Sequence, residues 1–376
     1  MPNLQPTLSQ LLSYLPHDPH NVPLLLDTFY AALRASDASV ARQLLERLQA
    51  NDRVPAERKI LLASELAMAF SDWPKAVDVL SGHHQPAKAD EFHLAVMHNL
   101  AYAYWRMQQP VDCLNVLGPS FVQSLIPALH DETLQLALRA HHHAGDPKTA
   151  SDLAQQLESM GRLSAASASI AALCALDAMQ MSRARQWSAQ ALAQDPSVPE
   201  AALVKATLEL ADGRTQDALS LCDGLLKRYP SEARAWQVQG IALMTLGDLS
   251  GAAQALDRAM SLHPPHVATL QARAWTAIMA GELGLAESLL LQAVPLDPAF
   301  AETHGSLALV HALQHRRAEA EDEIALALRL DATCGSALFA KVALADGPLD
   351  VAAVQRLAHI VARRAARQMS GQEEQS

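Results

Sequence analysis

The chain is 376 residues long, half of them hydrophobic but only 4% aromatic, and it carries a net charge of −11. That length holds one large or two ordinary domains, and an Ala- and Leu-rich apolar fraction favours packed helices over sheets. The acidic balance, with no long basic run, argues against nucleic acid as a partner, because a phosphate backbone needs a positive stripe to bind.

In chain order, Met1 to Gln10 shows no basic start and no apolar signal core. No stretch approaches the ~18 uninterrupted apolar residues of a spanning helix. A soluble, cytoplasmic chain without direct membrane insertion is therefore expected. Ser9 to Leu15 reads as a short helix, broken by the prolines between Pro16 and Pro23, so residues 1–21 are expected to form an N-terminal capping segment. The four cysteines, Cys113, Cys174, Cys222 and Cys334, are scattered and form no C-x-x-C pair. They read as small core residues in a reducing compartment. Sparse Lys beside abundant Ala and Arg suggests a GC-rich bacterial source.

Residues 131–334 repeat with a fixed period. Pro196, Pro230, Pro264 and Pro298 stand 34 residues apart, as do Gly213, Gly247 and Gly281. Ala150, Ala184, Ala218, Ala252, Ala286 and Ala320 share the same step. Each position has a physical reason. The Gly follows a helical stretch and can take the left-handed conformation that turns the chain back. The Ala five residues later sits where two antiparallel helices approach, and a larger side chain would force them apart. The Pro ends the second helix. Apolar stripes such as Leu219, Leu221, Cys222, Leu225 and Leu226 recur at helical spacing. Upstream, in 22–130, the small position continues at Cys113, Ala76 and Ala41 with longer steps, so these repeats are divergent. Downstream, 335–368 is expected to hold capping helices. One of these starts at Asp350 and runs to Gln368, with an apolar stripe of Val351, Val354, Leu357, Ile360 and Val361. The polar tail 369–376 is expected to be disordered.

The sequence resembles the tetratricopeptide repeat. Ala233 to His266 is the clearest copy, with Trp236, Gly240, Gly247, Ala252, Ala259 and Pro264 at the family positions. The copy 165–198 carries Met179 at the turn glycine, and the copy 301–334 carries His315 there and Ala332 for the Pro. The resemblance implies an all-α, right-handed superhelical solenoid of about nine helix-turn-helix repeats between Val22 and Cys334, closed by a C-terminal capping helix. It also implies a scaffold or adaptor that binds a partner peptide or helix in a concave groove. The alternative is a regulatory or substrate-recruiting subunit of a bacterial enzyme or of a secretion or assembly complex. Self-association through terminal repeats is a further expectation.

No phosphate-binding, nucleophile-elbow, dinucleotide or zinc-protease motif is present, so no enzyme activity and no cofactor are expected. His141, His142 and His143 are consecutive on a helix. They point about 100° apart and read as a polar helix end, not a metal set. Arg316 and Arg317 read as solvated surface beside a turn.

The family's groove positions fall here on Glu65, His98, Tyr102, Trp105, Arg106, Gln135, Arg139, His142, Gln237, Gln271 and Trp275. Tyr102, Trp105, Arg106 and Arg139 gather in adjacent repeats, and aromatic and Arg residues are the types that anchor interfaces. Tyr102 and Trp105 are equally readable as packing inside an irregular repeat. Trp73, Trp187 and Trp236 are expected to be structural. The carboxylate clamp of some family members would use Asn99, but Leu26 and Leu61 stand where its Lys belongs. The acidic balance favours a basic partner.

Overall fold

The computed structural model describes residues 6–118, 130–264 and 266–345. Among these residues the backbone forms twenty α-helices and no strand. The chain divides into two compact units, residues 1–181 and 182–376.

The first unit opens with α1 (Leu8–Tyr14), held at its start by a reciprocal capping box between Thr7 and Gln10. Helical pairs follow: α2 (Val22–Arg34) with α3 (Ala38–Gln49), α4 (Ala56–Ala69) with α5 (Trp73–Ser81), α6 (Glu91–Arg106) with α7 (Pro110–Leu117), and α8 (Asp131–His143) with α9 (Pro147–Ser159). Then comes α10 (Ala165–Asp177). The helix α11 (Met181–Gln194) leads into the second unit. Its pairs are α12 (Pro199–Ala211) with α13 (Thr215–Arg228), α14 (Ala233–Leu246) with α15 (Leu249–Leu262), α16 (Val267–Ala280) with α17 (Leu283–Ala293), and α18 (Ala301–Leu313) with α19 (Arg317–Leu330). The last described helix is α20 (Gly335–Ala345). The expected capping helix from Asp350 to Gln368 and the tail beyond it lie outside the described residues.

One turn geometry ends each of nine helices, α2, α4, α6, α8, α10, α12, α14, α16 and α18. Ser36, Ser71, Gln108, Gly145, Met179, Gly213, Gly247, Gly281 and His315 all have φ between 56° and 87°. In each case the next residue donates its backbone N–H to the carbonyl five residues before itself, at 2.8–3.0 Å, as from Asp37 to Ala32 or Asp248 to Leu243. This is the Schellman closure, which satisfies carbonyls that the helix end would leave bare. After four of these turns an aspartate caps the second helix. Asp37, Asp72, Asp146 and Asp248 accept from the backbone N–H of Val40, Lys75, Thr149 and Gly251.

The small residue five positions after each turn is fully buried. Ala41, Ala76, Cys113, Ala150, Ala184, Ala218, Ala252, Ala286 and Ala320 are all 0% exposed. Helices meet closely around them. A Cβ added at Gly240 would lie 2.6 Å from Leu256 Cγ and 3.2 Å from the Ala252 carbonyl oxygen. Apolar side chains fill the space on either side. Leu25, Phe29, Leu44, Leu48 and Leu62 form one such core in the first unit. Leu270, Ile278, Leu290, Leu307 and Val310 belong to another in the second. At roughly 25 cal/mol per Å² of apolar surface removed from water, this burial is the main favourable contribution to folding. α18 is buried on nearly every side because α19 and α20 both pack on it. Its Glu302 accepts from the backbone N–H of Gly335 at 2.8 Å and from Ser336 Oγ at 2.5 Å, which ties α20 down.

All four cysteines are buried. Burial pushes the Cys113 and Cys222 thiols up to about 12 and Cys334 to about 11. Trp187 is 1% exposed, as a structural residue should be. Trp236, expected in the core, is only half-buried, and its indole N–H donates to the Pro230 carbonyl at 2.9 Å. It clasps the turn before its own helix and does not fill a cavity.

The left-handed turns yield a paired stability prediction. Met179 holds φ at 59° with its side chain 73% exposed, so it bears strain and contributes little packing. Met179→Gly should raise the unfolding free energy by about 1 kcal/mol, and Gly247→Ala should lower it by about the same amount. Urea midpoints for both variants check this. A Met179→Gly protein less stable than wild type would show that the turn is not strained.

Candidate functional site

Helices α2, α4 and α6 are the first members of three successive hairpins, and they turn equivalent positions to one face. Tyr30, Glu65 and Tyr102 each occupy the ninth position of their repeat. The Tyr30 hydroxyl donates to Glu65 Oε2 at 2.5 Å. Arg58 donates to the same hydroxyl, lies 3.6 Å from Glu65, and places its guanidinium 5.8 Å from the Tyr30 ring centroid. Burial, reinforced by the neighbouring Glu65 carboxylate, pushes the Tyr30 phenol well above its ordinary value. The phenol therefore stays neutral and keeps its O–H directed at Glu65.

Beside this triad lies an open cavity of about 470 Å³. Leu33, Met68 and Ala69 give it apolar lining, and Trp73, Tyr102 and Arg106 line it too. The Trp73 and Tyr102 rings meet edge-to-face with centroids 5.9 Å apart. The Arg106 guanidinium lies 4.5 Å from the Trp73 centroid and 5.8 Å from that of Tyr102, and it donates to the Tyr102 hydroxyl at 3.1 Å. His98 lies nearly parallel to Tyr102 with centroids 6.3 Å apart, and its Nδ1 is 2.9 Å from Thr133 Oγ1. Burial depresses the His98 pKa.

A second cavity of about 600 Å³ shares Glu65 and Asn99 with the first. Leu61, Phe92 and Ala95 supply its apolar surface, and Glu57, Asp90 and Glu91 its acidic rim. The Asp90 carboxylate sits 2.7 Å from His93 Nδ1 and caps α6, which holds it below the usual carboxylate range.

The other groove candidates are placed differently. Trp105 is separated from Tyr102 and Arg106. Its ring meets His143 edge-on at 4.5 Å. Gln135 donates to Asp131, which also accepts from Ser164 and Ser167 at 2.8 and 2.9 Å. His142 pairs with Asp177 at 2.7 Å, and Arg139 is half-buried near His143, where its charge helps depress the imidazole. His141 lies near Asp146, so the three consecutive histidines differ in their charged and aromatic neighbours. Among the described residues no three His, Cys, Asp or Glu side chains are grouped to hold a metal. In the second unit Gln237 is half-buried, while Trp275 packs against the apolar core. Gln271 donates to the Glu302 carbonyl and to Ser306 Oγ. Arg316 pairs with Glu287 and Glu319, and Arg317 with Glu321.

Two aromatic cavity residues were not among the groove candidates: Tyr30 was not named, and Trp73 was expected to be structural. Tyr30 shares its repeat position with Glu65 and Tyr102, so the register contained the signal. Trp73 begins a second helix, and a groove template built on first helices passes over it.

These successive hairpins, each closed by a residue in the left-handed conformation, define a helical-repeat protein. No protein-family model matches the chain, and no curated protein matches it. Solved structures do match. A tetratricopeptide repeat protein from Parabacteroides merdae aligns with a TM-score of 0.50 at 14% identity, over 68% of this chain and 98% of that one. The APC/C hetero-tetramer Cut9-Hcn1 aligns at 0.49 and 13% identity, over 96% and 92%. YrrB, a TPR protein with an unusual peptide-binding site, aligns at 0.38 and 19% identity, over 50% and 96%. The chain has the tetratricopeptide-repeat fold. Among the described residues no helix is long and apolar enough to cross a membrane.

The histidines supply a pH prediction. Burial lowers the pKa of His98, His141 and His143 below 6.5, so the folded state prefers them neutral. The unfolded chain takes up these protons first as the pH falls. Stability is therefore complete above about pH 6.5 and declines below it. The melting temperature should drop between pH 7.5 and 5.5, and His98→Asn should reduce the drop. An unchanged drop in that variant would count against His98 as a contributor.

Proposed function

We propose that this chain is a protein-interaction module whose first unit takes up an extended segment or helix of a partner protein. The observation that carries the reading is the Trp73–Arg106–Tyr102 cluster, which lines the 470 Å³ cavity together with Leu33, Met68 and Ala69. Aromatic rings and guanidinium groups present large, rigid contact area at small entropic cost, and they supply most binding hot spots. Arg106 is exposed although stacked, so a partner can cover it without unfolding anything. The reading is one of binding without catalysis, in a cytoplasmic setting. The adjoining Tyr30–Glu65–Arg58 triad is internally satisfied, and its part is to hold α2 against α4 and keep the cavity open.

The test is affinity purification of wild type against a Trp73→Ala, Tyr102→Ala, Arg106→Ala variant, with identification by mass spectrometry. The variant should retain its helical circular dichroism and lose at least one stoichiometric partner, with affinity reduced tenfold or more. A folded variant that keeps every wild-type partner at wild-type affinity would overturn the assignment.

A further inference from the structure

The two cavities that share Glu65 and Asn99 differ in character, and the difference specifies a ligand. The first is lined by the apolar Leu33, Met68 and Ala69 and by aromatic rings. The second is rimmed by Glu57, Asp90 and Glu91, and its one cation, Arg58, is already engaged by Tyr30 and Glu65. We propose that the partner segment is a basic one. It would place an apolar or aromatic side chain in the first cavity and an Arg or Lys in the second. This rests on the binding reading above and adds to it the chemistry of the partner.

Three physical points carry the proposal. First, Glu57 and Glu91 lie in the opening turns of α4 and α6, where the helix dipole favours the ionised carboxylate. Both are exposed, so they need not be stripped of water before a cation arrives. Second, the occupant's charge is complementary to this rim and to a chain of net charge −11, which steers a cationic segment toward it. Third, the spacing is set by the helices. Arg58 at the acidic end and Met68 at the apolar end are ten residues apart on α4. That is roughly 15 Å along the axis. An extended segment covers this distance in about four or five residues. An apolar anchor with a basic residue four or five positions away is therefore the sequence that fits, and an acidic or uncharged segment leaves the rim unmatched.

The experiment is selection of phage-displayed random twelve-residue peptides on the full chain. The winners are then measured as fluorescein-labelled synthetic peptides by polarisation. The expected winners carry Arg or Lys four or five positions from a Leu, Ile, Phe or Trp. Glu57→Gln with Glu91→Gln should weaken them at least fivefold, as should raising the salt from 50 to 500 mM. Both glutamates are exposed, so the double variant stays folded. Trp73→Ala with Tyr102→Ala should weaken the same peptides independently. Winners that lack basic residues yet depend on Trp73 and Tyr102 would overturn the basic-partner inference while leaving the groove in place. Winners indifferent to both pairs of substitutions, or no winners at all, would overturn the inference outright. The fate of the binding reading would then rest on the affinity purification alone.

Discussion

The constraint on which the structure depends is the left-handed turn that closes the first helix of each hairpin. It reverses the chain with one residue at positive φ and one Schellman hydrogen bond. The direction it sets brings the following helix back against the first. There a fully buried Ala or Cys five residues on fixes how near the two can lie. Turn and small residue act together, since the turn would lead nowhere if the contact were too wide. Repeated along the chain, the pair lets each helix find its partner among its immediate neighbours. Most packing is therefore local in sequence, and local contacts form at low loop-closure cost.

The same regularity produces the site. Helices that leave equivalent turns present equivalent positions, so Tyr30, Glu65 and Tyr102 arrive on one face without any dedicated framework. What individualises the face is the side chains set there. The Tyr30–Glu65–Arg58 triad joins two neighbouring hairpins by hydrogen bonds. Arg106 lies across rings from the second of these hairpins and from its own helix, Trp73 on α5 and Tyr102 on α6. The first arrangement consumes its own polar groups, and the second keeps its cation exposed. That asymmetry separates a clasp from a contact surface.

Much of this was legible in the sequence, and the limits have physical causes. The 34-residue step, the small position and the turn position could be read directly, because each answers a steric demand that few residues meet. The first helices begin at residues 131, 165, 199, 233, 267 and 301, in step with that period. Ser36, Ser71 and Gln108 were harder to see, because tertiary packing imposes on them a conformation that their side chains do not announce. The site was legible in part. Tyr102 and Arg106 were named, but Trp105 was grouped with them although it turns toward His143 on α8. Consecutive groove positions on a helix diverge by about 100° per residue, and a template of positions does not record which neighbour each side chain meets. Trp73 was passed over for the converse reason, since it reaches the cavity from the second helix of its hairpin.

The four buried cysteines have a practical side. Their thiols are shielded from solvent, and those of Cys113, Cys222 and Cys334 are held almost wholly protonated at neutral pH. A maleimide or a spin label reacts with an accessible thiolate, so the native chain offers such reagents very little. A single cysteine introduced on the surface would stand out against that quiet background. Site-directed labelling of this protein can begin from the wild-type sequence, with every native sulfur left in its packing place.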